Sequence, residues 1–251
     1  MTLRLSGRRV VLTGGASGLG RAMLNQLVAE GAHVVVFDRD ADQLSTLTAD
    51  FPDVAIQNVE LTDANAVESA VEQAFAILGG VDVLINNAGI ICSAPLIDVL
   101  QRSSRAERMA QWETVISTNL TAVYSITMSI AERMVRKRIK GTIINISSIS
   151  ARGNAGQSAY AAAKAGVEAL TVSWARELGP LGIRAVCIAP GFVDTPSTHN
   201  ALTVDKIADI VSRTPLRRLA KDHEVALAVV QMIENSFVTG AVLSIDGGLV
   251  L

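Results

Sequence analysis

Short apolar runs alternate with longer stretches of helical periodicity along nearly the whole chain. Most of the short runs are apolar at consecutive positions, as expected of parallel strands that are covered on both faces. The longer stretches repeat apolar residues every three or four positions, which predicts amphipathic helices. This alternation is typical of stacked βαβ units. It predicts an α/β, doubly wound fold with a seven-stranded parallel sheet and helices on both faces.

The predicted elements follow one another without interruption. The strands are predicted at residues 9–13, 33–38, 53–57, 82–87, 141–147, 183–189 and 241–246. The helices are predicted at residues 17–30, 40–49, 63–78, 105–138 with a break near Ser117, 157–179, 203–212 and 222–234. Because no linker, repeat or low-complexity tract separates them, the pattern predicts a single domain over residues 1–251. The least regular stretches are 91–104 and 191–215.

Composition narrows the class of protein. The 251 residues carry a formal net charge of −2, and only 4% of them are aromatic. This balance gives no overall attraction to nucleic acid or to an anionic membrane surface. Cys92 and Cys187 are far apart and match no metal-binding pattern, so we expect neither a metal site nor a disulfide framework. Since no signal peptide or membrane-spanning stretch is visible, we predict a cytoplasmic protein.

A glycine-rich stretch, TGGASGLG, follows the first predicted strand. Gly14, Gly18 and Gly20 predict a phosphate-binding turn, because glycine lets backbone N–H groups approach an anion at a helix N-terminus. Asp38 ends the next strand, where a carboxylate binds an adenosine ribose and repels a 2′-phosphate, which favours NAD over NADP. The alternatives are a plain turn, a helix cap at Asp38, and an NADP site supported by Arg39.

Two side chains with acid–base chemistry are four residues apart in a later helical pattern, which places Tyr160 and Lys164 on one helix face. We expect the ammonium and a cationic nicotinamide ring to lower the pKa of the phenol, so that Tyr160 takes the proton of an alcohol. Ser147, at the end of a strand, is expected to hydrogen-bond the substrate oxygen. Tyrosine and lysine at this spacing also occur on exposed helices, where long side chains only cover the surface.

Taken together, six features resemble the short-chain dehydrogenase/reductase family in its short single-domain form. They are TGGASGLG, NNAG at 86–89, Asn119, Ser147, YAAAK at 160–164 and PGFVDT at 190–195. The match covers nearly the whole chain. It implies a Rossmann fold and a catalytic set of Asn119, Ser147, Tyr160 and Lys164. In that set Lys164 also binds the nicotinamide ribose, and Asn119 positions a water molecule that links the lysine to solvent.

The resemblance also implies a set of cofactor-binding residues on the glycine turn, at the strand ends and in the loop after the sixth strand. These residues are Gly14, Ser17, Gly18, Leu19, Gly20, Asp38, Glu60, Leu61, Asn87, Ala88, Gly89, Tyr160, Lys164, Pro190, Gly191, Val193 and Thr195. The family usually has Asp or Asn at the position of Glu60, and we expect the longer side chain to offer the same acceptor chemistry. Relatives are commonly tetramers, which implies a homotetramer.

One segment departs from the family pattern. The chain between Pro95 and Trp112 is longer than the family commonly has, and Arg102, Arg105 and Arg108 recur there every three residues. A solvated helix face explains this spacing. The alternative is that these arginines receive an anionic substrate.

The nature of the substrate stays open at the level of the sequence. The polar segment 192–215 is expected to form a mobile lid over it. The sequence predicts an NAD-dependent dehydrogenase that acts on a small molecule carrying a secondary alcohol, such as a polyol or a sugar. An NADPH-dependent 3-oxoacyl-thioester reductase is the first alternative. A non-catalytic dinucleotide-binding sensor or scaffold is the second.

Overall fold

The computed structural model describes residues 3–97 and 104–251, and within them seven strands form one sheet. The strands are β1 Arg9–Thr13, β2 His33–Asp38, β3 Ala55–Asn58, β4 Val83–Asn86, β5 Thr142–Ile146, β6 Arg184–Pro190 and β7 Val242–Ile245. Their spatial order is β3-β2-β1-β4-β5-β6-β7, and every neighbouring pair is parallel. The chain starts in the middle of the sheet, winds outward to β3, returns to β4 beside β1, and winds outward again to β7.

Helices cover both faces of this sheet. They are α1 Gly18–Ala29, α2 Ala41–Asp50, α3 Ala64–Leu78, α4 Arg105–Ile116, α5 Ala122–Arg136, α6 Ser158–Leu178, α7 Pro196–Ala201, α8 Val204–Arg213 and α9 Asp222–Glu234. Apolar side chains of α1, α2 and α9 pack on one face, and those of α3, α5 and α6 pack on the other. The predicted doubly wound Rossmann fold is confirmed.

Neighbouring residues of a strand point into different helix layers. In β1, Val10 and Leu12 pack with α1 and α9, whereas Val11 packs with α3 and α5. All three side chains are fully buried, and each burial stabilises the fold by roughly 1.5–3 kcal/mol. The consecutive apolar positions of the sequence therefore reflect a sheet that is buried on both faces.

The predicted boundaries agree with the observed ones to within about two residues for most elements, the usual precision of such assignments. The third strand shows the largest shift, from 53–57 to Ala55–Asn58.

Two helix starts are capped by carboxylates. Asp40 accepts from the N–H of Gln43 at the start of α2, and Asp63 caps α3 in the same way. A capping residue satisfies N–H groups that have no partner within the helix.

The predicted break near Ser117 is a π-helical segment, Ser117–Thr121, between α4 and α5. Short π-helical segments insert an extra residue and often occur at functional sites. The irregular stretch 191–215 contains α7, which the sequence pattern did not predict, in addition to α8. Among the helices of the described ranges, none is both long and apolar enough to cross a membrane.

Candidate active site

The carboxyl ends of the central strands open into one cavity of about 430 Å³. It lies where the winding direction reverses between β1 and β4, the place at which open parallel sheets bind ligands. Every residue of the predicted catalytic and cofactor-binding sets lines this cavity. The fold thus brings motifs from distant parts of the chain to one edge of the sheet.

The glycine turn between β1 and α1 is packed too closely to hold side chains. A Cβ on Gly20 would lie 1.8 Å from the carbonyl oxygen of Gly14, and a Cβ on Gly14 would lie 2.8 Å from Cα of Ala88. Gly14 also has a φ of +65°, in the left-handed region that favours glycine. The spacing of these glycines therefore reflects the close approach of two backbone segments.

Asn87 connects this turn to the end of β4 by side-chain hydrogen bonds. Its side-chain amide donates to the carbonyl oxygens of Thr13 at 3.0 Å and Gly14 at 2.9 Å. The Thr13 hydroxyl oxygen accepts in turn from the backbone N–H groups of Asn87 and Ala88, both at 3.0 Å. The residues that the resemblance places beside the adenosine ribose thus also join β1 to β4.

Asp38 holds the same turn from the other side. One carboxylate oxygen accepts from the N–H of Ala16 at 3.1 Å, and the other accepts from the N–H of Asp40 at 3.2 Å. The cap of α2 is Asp40, which accepts from Gln43. The interpretation of Asp38 as the helix cap is therefore wrong, because its side chain lines the cavity beside the glycine turn.

Tyr160 and Lys164 lie one turn apart on α6 and are both buried. The Lys164 ammonium nitrogen, Nζ, donates to the carbonyl oxygen of Ile146 at 2.8 Å. It also lies 5.7 Å from the centroid of the Tyr160 ring. The predicted pair is therefore brought together inside the cavity, and the alternative of two exposed side chains that only cover a surface does not apply.

Burial dominates the acid–base properties of this pair. It raises the pKa of Tyr160 above the usual value of a phenol, although a hydrogen bond with the Ser148 side chain opposes the shift. Burial also lowers the pKa of Lys164 to about 8, against an opposing contribution from Cys187. Burial and the Ser148 hydrogen bond are the causes of the shift at Tyr160, and the expected lowering of its pKa by the lysine together with a cationic nicotinamide ring stays a prediction.

The structure corrects the predicted role of Ser147. Its hydroxyl points into the sheet–helix layer, where it donates to the carboxylate of Glu168 at 2.9 Å and lies 3.2 Å from the carbonyl oxygen of Lys164. The side chain hydrogen-bonded to the Tyr160 phenol is Ser148, which also lines the cavity. Strand alternation explains the difference, because Ser147 continues the face of β5 that packs on α6.

Asn119 is fully buried in the π-helical segment. Its side-chain oxygen accepts from the N–H of Ile90 at 3.1 Å, and its amide nitrogen donates to the carbonyl oxygens of Ile90 and Val115, both at 3.0 Å. A Cβ on Gly89 would lie 2.5 Å from that side-chain oxygen and 3.6 Å from Nζ of Lys164. Asn119 thus fixes the loop after β4 beside Lys164.

Sequence reasoning missed a neutral polar cluster that lines the cavity near the start of α6. Gln157 accepts from Ser150 at 2.9 Å and from Asn154 at 3.0 Å, and it donates to Ser93 at 3.2 Å. Ser93, Ser150 and Gln157 line the cavity. The sequence did offer a signal for this cluster, since Ser150 and Gln157 lie only a few residues before Tyr160. Residues that lie between the end of a strand and the start of the next helix occupy the same edge of the sheet.

The loop after β6 leads into the predicted lid. Gly191 donates its N–H to the carbonyl oxygen of Ile245 at 2.9 Å, and Thr195 caps α7 through the N–H of Thr198. Pro190 and Val193 line the cavity together with these two residues.

The arginines of the longer segment do not support an anion site. Arg102 lies outside the described residues. Among the described residues that line the cavity, neither Arg105 nor Arg108 is found. The structure therefore gives no support to the alternative that these two arginines receive an anionic substrate.

The chain is similar to several known proteins over almost its whole length. The profile of the short chain dehydrogenases matches residues 8–205. The 3-oxoacyl-acyl-carrier-protein reductase FabG of Thermotoga maritima is 37% identical, with 99% of this chain and 100% of that protein covered. Nodulation protein G of a Rhizobium species is 36% identical over 98% of both chains. The crystal structure of a candidate gluconate dehydrogenase from Agrobacterium tumefaciens has a TM-score of 0.86 and 31% identity, with 99% and 98% covered.

Proposed function

The chain belongs to the short-chain dehydrogenase family, and we propose on that premise that it transfers a hydride between NAD and a secondary alcohol or ketone. Family membership makes it an oxidoreductase that uses a nicotinamide dinucleotide. One observation carries the finer proposal: the buried Tyr160 and Lys164 and the half-buried Ser148 line the same cavity as the glycine turn and Asp38.

The residues present fit a dinucleotide. A Cβ on Gly18 would meet no atom of the described residues within 4 Å, so the turn is open toward the cavity there. At Ser17, before α1, no side-chain cap occupies the N–H groups of the described helix start. Free N–H groups at a helix N-terminus suit a pyrophosphate. When bound, the nicotinamide would supply the hydride acceptor for the alcohol carbon.

The preference for NAD is supported by Asp38. A ribose diol donates to a carboxylate at this position, whereas a 2′-phosphate is repelled by it. The two backbone N–H groups that hold this carboxylate leave each of its oxygens able to accept a further hydrogen bond.

The proposed roles of the catalytic residues follow from their contacts. The Tyr160 phenol exchanges the proton of the substrate hydroxyl, and Ser148 orients both oxygens by hydrogen bonding. Lys164 stabilises the phenolate as it forms, because its ammonium lies against the ring in a buried setting. Asn119 holds the loop at Gly89 in place beside this lysine.

A second candidate is an NADPH-dependent reductase of 3-oxoacyl thioesters. The name of the Thermotoga relative supports it, and the open adenosine end of the cavity contains Arg39 in addition to Asp38. A non-catalytic sensor or scaffold is disfavoured, because such a protein has no use for a buried tyrosine–lysine pair.

Assembly and location are part of the proposal. A homotetramer is supported by exposed apolar side chains such as Phe237, which is 96% exposed, and by β7, which ends the sheet. Sedimentation equilibrium would give the mass of four chains.

A cytoplasmic location is supported by Cys92 and Cys187, neither of which forms a disulfide bond.

The function is tested by the Tyr160→Phe variant and a panel of substrates. We expect a loss of turnover of about 10²–10⁴-fold, because the proton carrier is removed, while NADH binding stays within about threefold since binding does not need the phenol proton. Tyr124→Phe is the matched control, because Tyr124 is half-exposed on α5.

The panel contains polyols, hydroxy acids and a 3-hydroxyacyl thioester, each with NAD and with NADP. Reduced nicotinamide absorbance reports the rate. Normal turnover by Tyr160→Phe contradicts the mechanism, and a preference for the thioester with NADP favours the second candidate.

A further inference from the structure

Three charged residues meet at the outer, adenosine end of the cavity. Asp38 and Arg39 follow each other at the end of β2, and Glu60 lies just beyond the end of the neighbouring β3. All three line the cavity. The guanidinium of Arg39 lies 3.5 Å from one carboxylate oxygen of Glu60, and both side chains are about half-exposed. A cation at the adenosine end is thus already paired with a carboxylate.

Glu60 is held in this position by a local contact. Its second carboxylate oxygen accepts from the hydroxyl of Thr62 at 2.8 Å and from the N–H of Thr62 at 3.1 Å. Burial raises the pKa of Glu60, but the hydrogen bonds from Thr62 and the charge of Arg39 outweigh burial and lower it overall. The carboxylate is therefore ionised at neutral pH, with one oxygen fixed by Thr62 and the other turned to Arg39.

The backbone at Arg39 is also fixed. Its carbonyl oxygen accepts from the side-chain amide of Asn58 at 3.0 Å, and Asp38, the residue before it, is bonded to the glycine turn. The backbone of Arg39 is therefore held in place, whereas its half-exposed side chain can turn from Glu60 toward the ribose side of the cavity. Although an exposed ion pair adds little to the stability of the fold, a 2′-phosphate that takes up this guanidinium must first displace the Glu60 carboxylate from it.

We propose that Glu60 sets the dinucleotide preference by holding Arg39 in an ion pair, which withholds from a 2′-phosphate the cation that would otherwise receive it. The inference rests on the proposed preference for NAD. Two carboxylates then act differently on the 2′-phosphate: Asp38 repels it directly, and Glu60 keeps Arg39 away from it. The length of Glu60 bears on this contact, since the carboxylate of an aspartate, one methylene shorter, would start farther from the guanidinium.

The experiment measures binding of two probes without a nicotinamide ring, 2′,5′-ADP and 5′-AMP, by isothermal titration calorimetry at low and constant ionic strength. The quantity of interest is the ratio of their dissociation constants. For Glu60→Gln we expect this ratio to shift toward 2′,5′-ADP by about 3- to 10-fold, because a free guanidinium can then pair with the 2′-phosphate.

Two further variants separate the ion pair from the charge of Glu60 alone. Glu60→Asp keeps the negative charge but moves the carboxylate away from Arg39. We therefore expect the ratio of dissociation constants to shift in the same direction as in Glu60→Gln. Adding Arg39→Ala to Glu60→Gln should return the ratio to the wild-type value or below it. An unchanged ratio in Glu60→Gln, or a shift that survives removal of Arg39, overturns the inference.

Failure of the proposed function gives a different result. If the wild-type protein itself binds 2′,5′-ADP more tightly than 5′-AMP, the proposed preference for NAD is wrong whatever the variants do. If the wild type prefers 5′-AMP and the variants leave the ratio unchanged, the preference stands and the role of Glu60 is wrong. Circular dichroism of each variant shows whether the fold is retained.

Discussion

Replacing each of the two adjacent serines with alanine separates catalysis from folding at the end of β5. Ser148→Ala removes the hydroxyl that is hydrogen-bonded to the Tyr160 phenol. Loss of one donor to a reacting oxygen typically lowers kcat by about 10²–10³-fold, or about 3–4 kcal/mol of transition-state stabilisation. Ser148 also accepts from the N–H of Ser150 at 3.1 Å, a half-buried local bond whose loss should lower stability by only about 1 kcal/mol.

Ser147→Ala is the matched control, because it makes the same chemical change one residue earlier. It removes the part-buried hydrogen bond to Glu168 and leaves Ser148 in place. A hydrogen bond to a charged group contributes about 1.5–3 kcal/mol, and the carboxylate of Glu168 is part-exposed, so water can replace some of that contact. We therefore expect about 1–2 kcal/mol lower unfolding free energy and less than a tenfold loss of kcat.

The assay follows reduced nicotinamide absorbance at saturating NAD with the best alcohol of the substrate panel. Urea unfolding gives the free energy of unfolding of each variant, and NADH fluorescence gives its binding. A strong loss of kcat in Ser147→Ala, together with near-normal turnover in Ser148→Ala, would refute the assignment. Equal losses in both variants would also contradict it, since the two hydroxyls would then act as one unit.

Two further outcomes are expected from buried groups of the site. The unfolding free energy of the wild type relative to Lys164→Met should rise by about 1–3 kcal/mol between pH 8 and pH 10.5, because the folded pKa is about 8 and the unfolded lysine still binds its proton. A flat difference in urea titrations across this range contradicts the lowered pKa. Gly20→Ala should lose several kcal/mol in urea unfolding, because its Cβ would lie 1.8 Å from a carbonyl oxygen. Gly179→Ala, whose Cβ would meet no described atom within 4 Å, should change stability little, and equal losses in both would show that the turn is not closely packed.

The layers of the fold were predictable because burial on both faces leaves a strong sequence pattern. Runs such as Val10 to Leu12 are apolar at every position, and the structure buries every one of them. The least regular stretch was harder to predict. α7 is only six residues long and has no buried side chain among its described residues, so no apolar periodicity marks it. Its signals are a capping threonine, Thr195, and Pro196 in the first turn.

The candidate site was predictable as a set of residues but not as a set of contacts. Motif spacing brought Tyr160 and Lys164 together, whereas the direction of each serine depends on where β5 stops. The sequence places Ser147 and Ser148 side by side, and strand alternation decides which of them faces α6. Asn145 already faces that side, since its amide donates to Thr171 of α6 at 2.8 Å. Continuing the alternation by two residues assigns Ser147 to the same face.

Contacts within the protein hold the glycine turn in place at the end of the cavity where the cofactor is proposed to bind. Asn87 bonds the turn to β4, Asp38 bonds it to β2, and Gly14 packs against Ala88 without space for a side chain. A turn held from both sides keeps its N–H groups aimed at the cavity before any ligand arrives, and preorganisation of this kind reduces the entropy lost on binding. Specificity then depends on the few side chains at the open end that can still move. Arg39 is such a side chain, and its choice between Glu60 and the ribose side is therefore where small sequence changes should alter cofactor preference most.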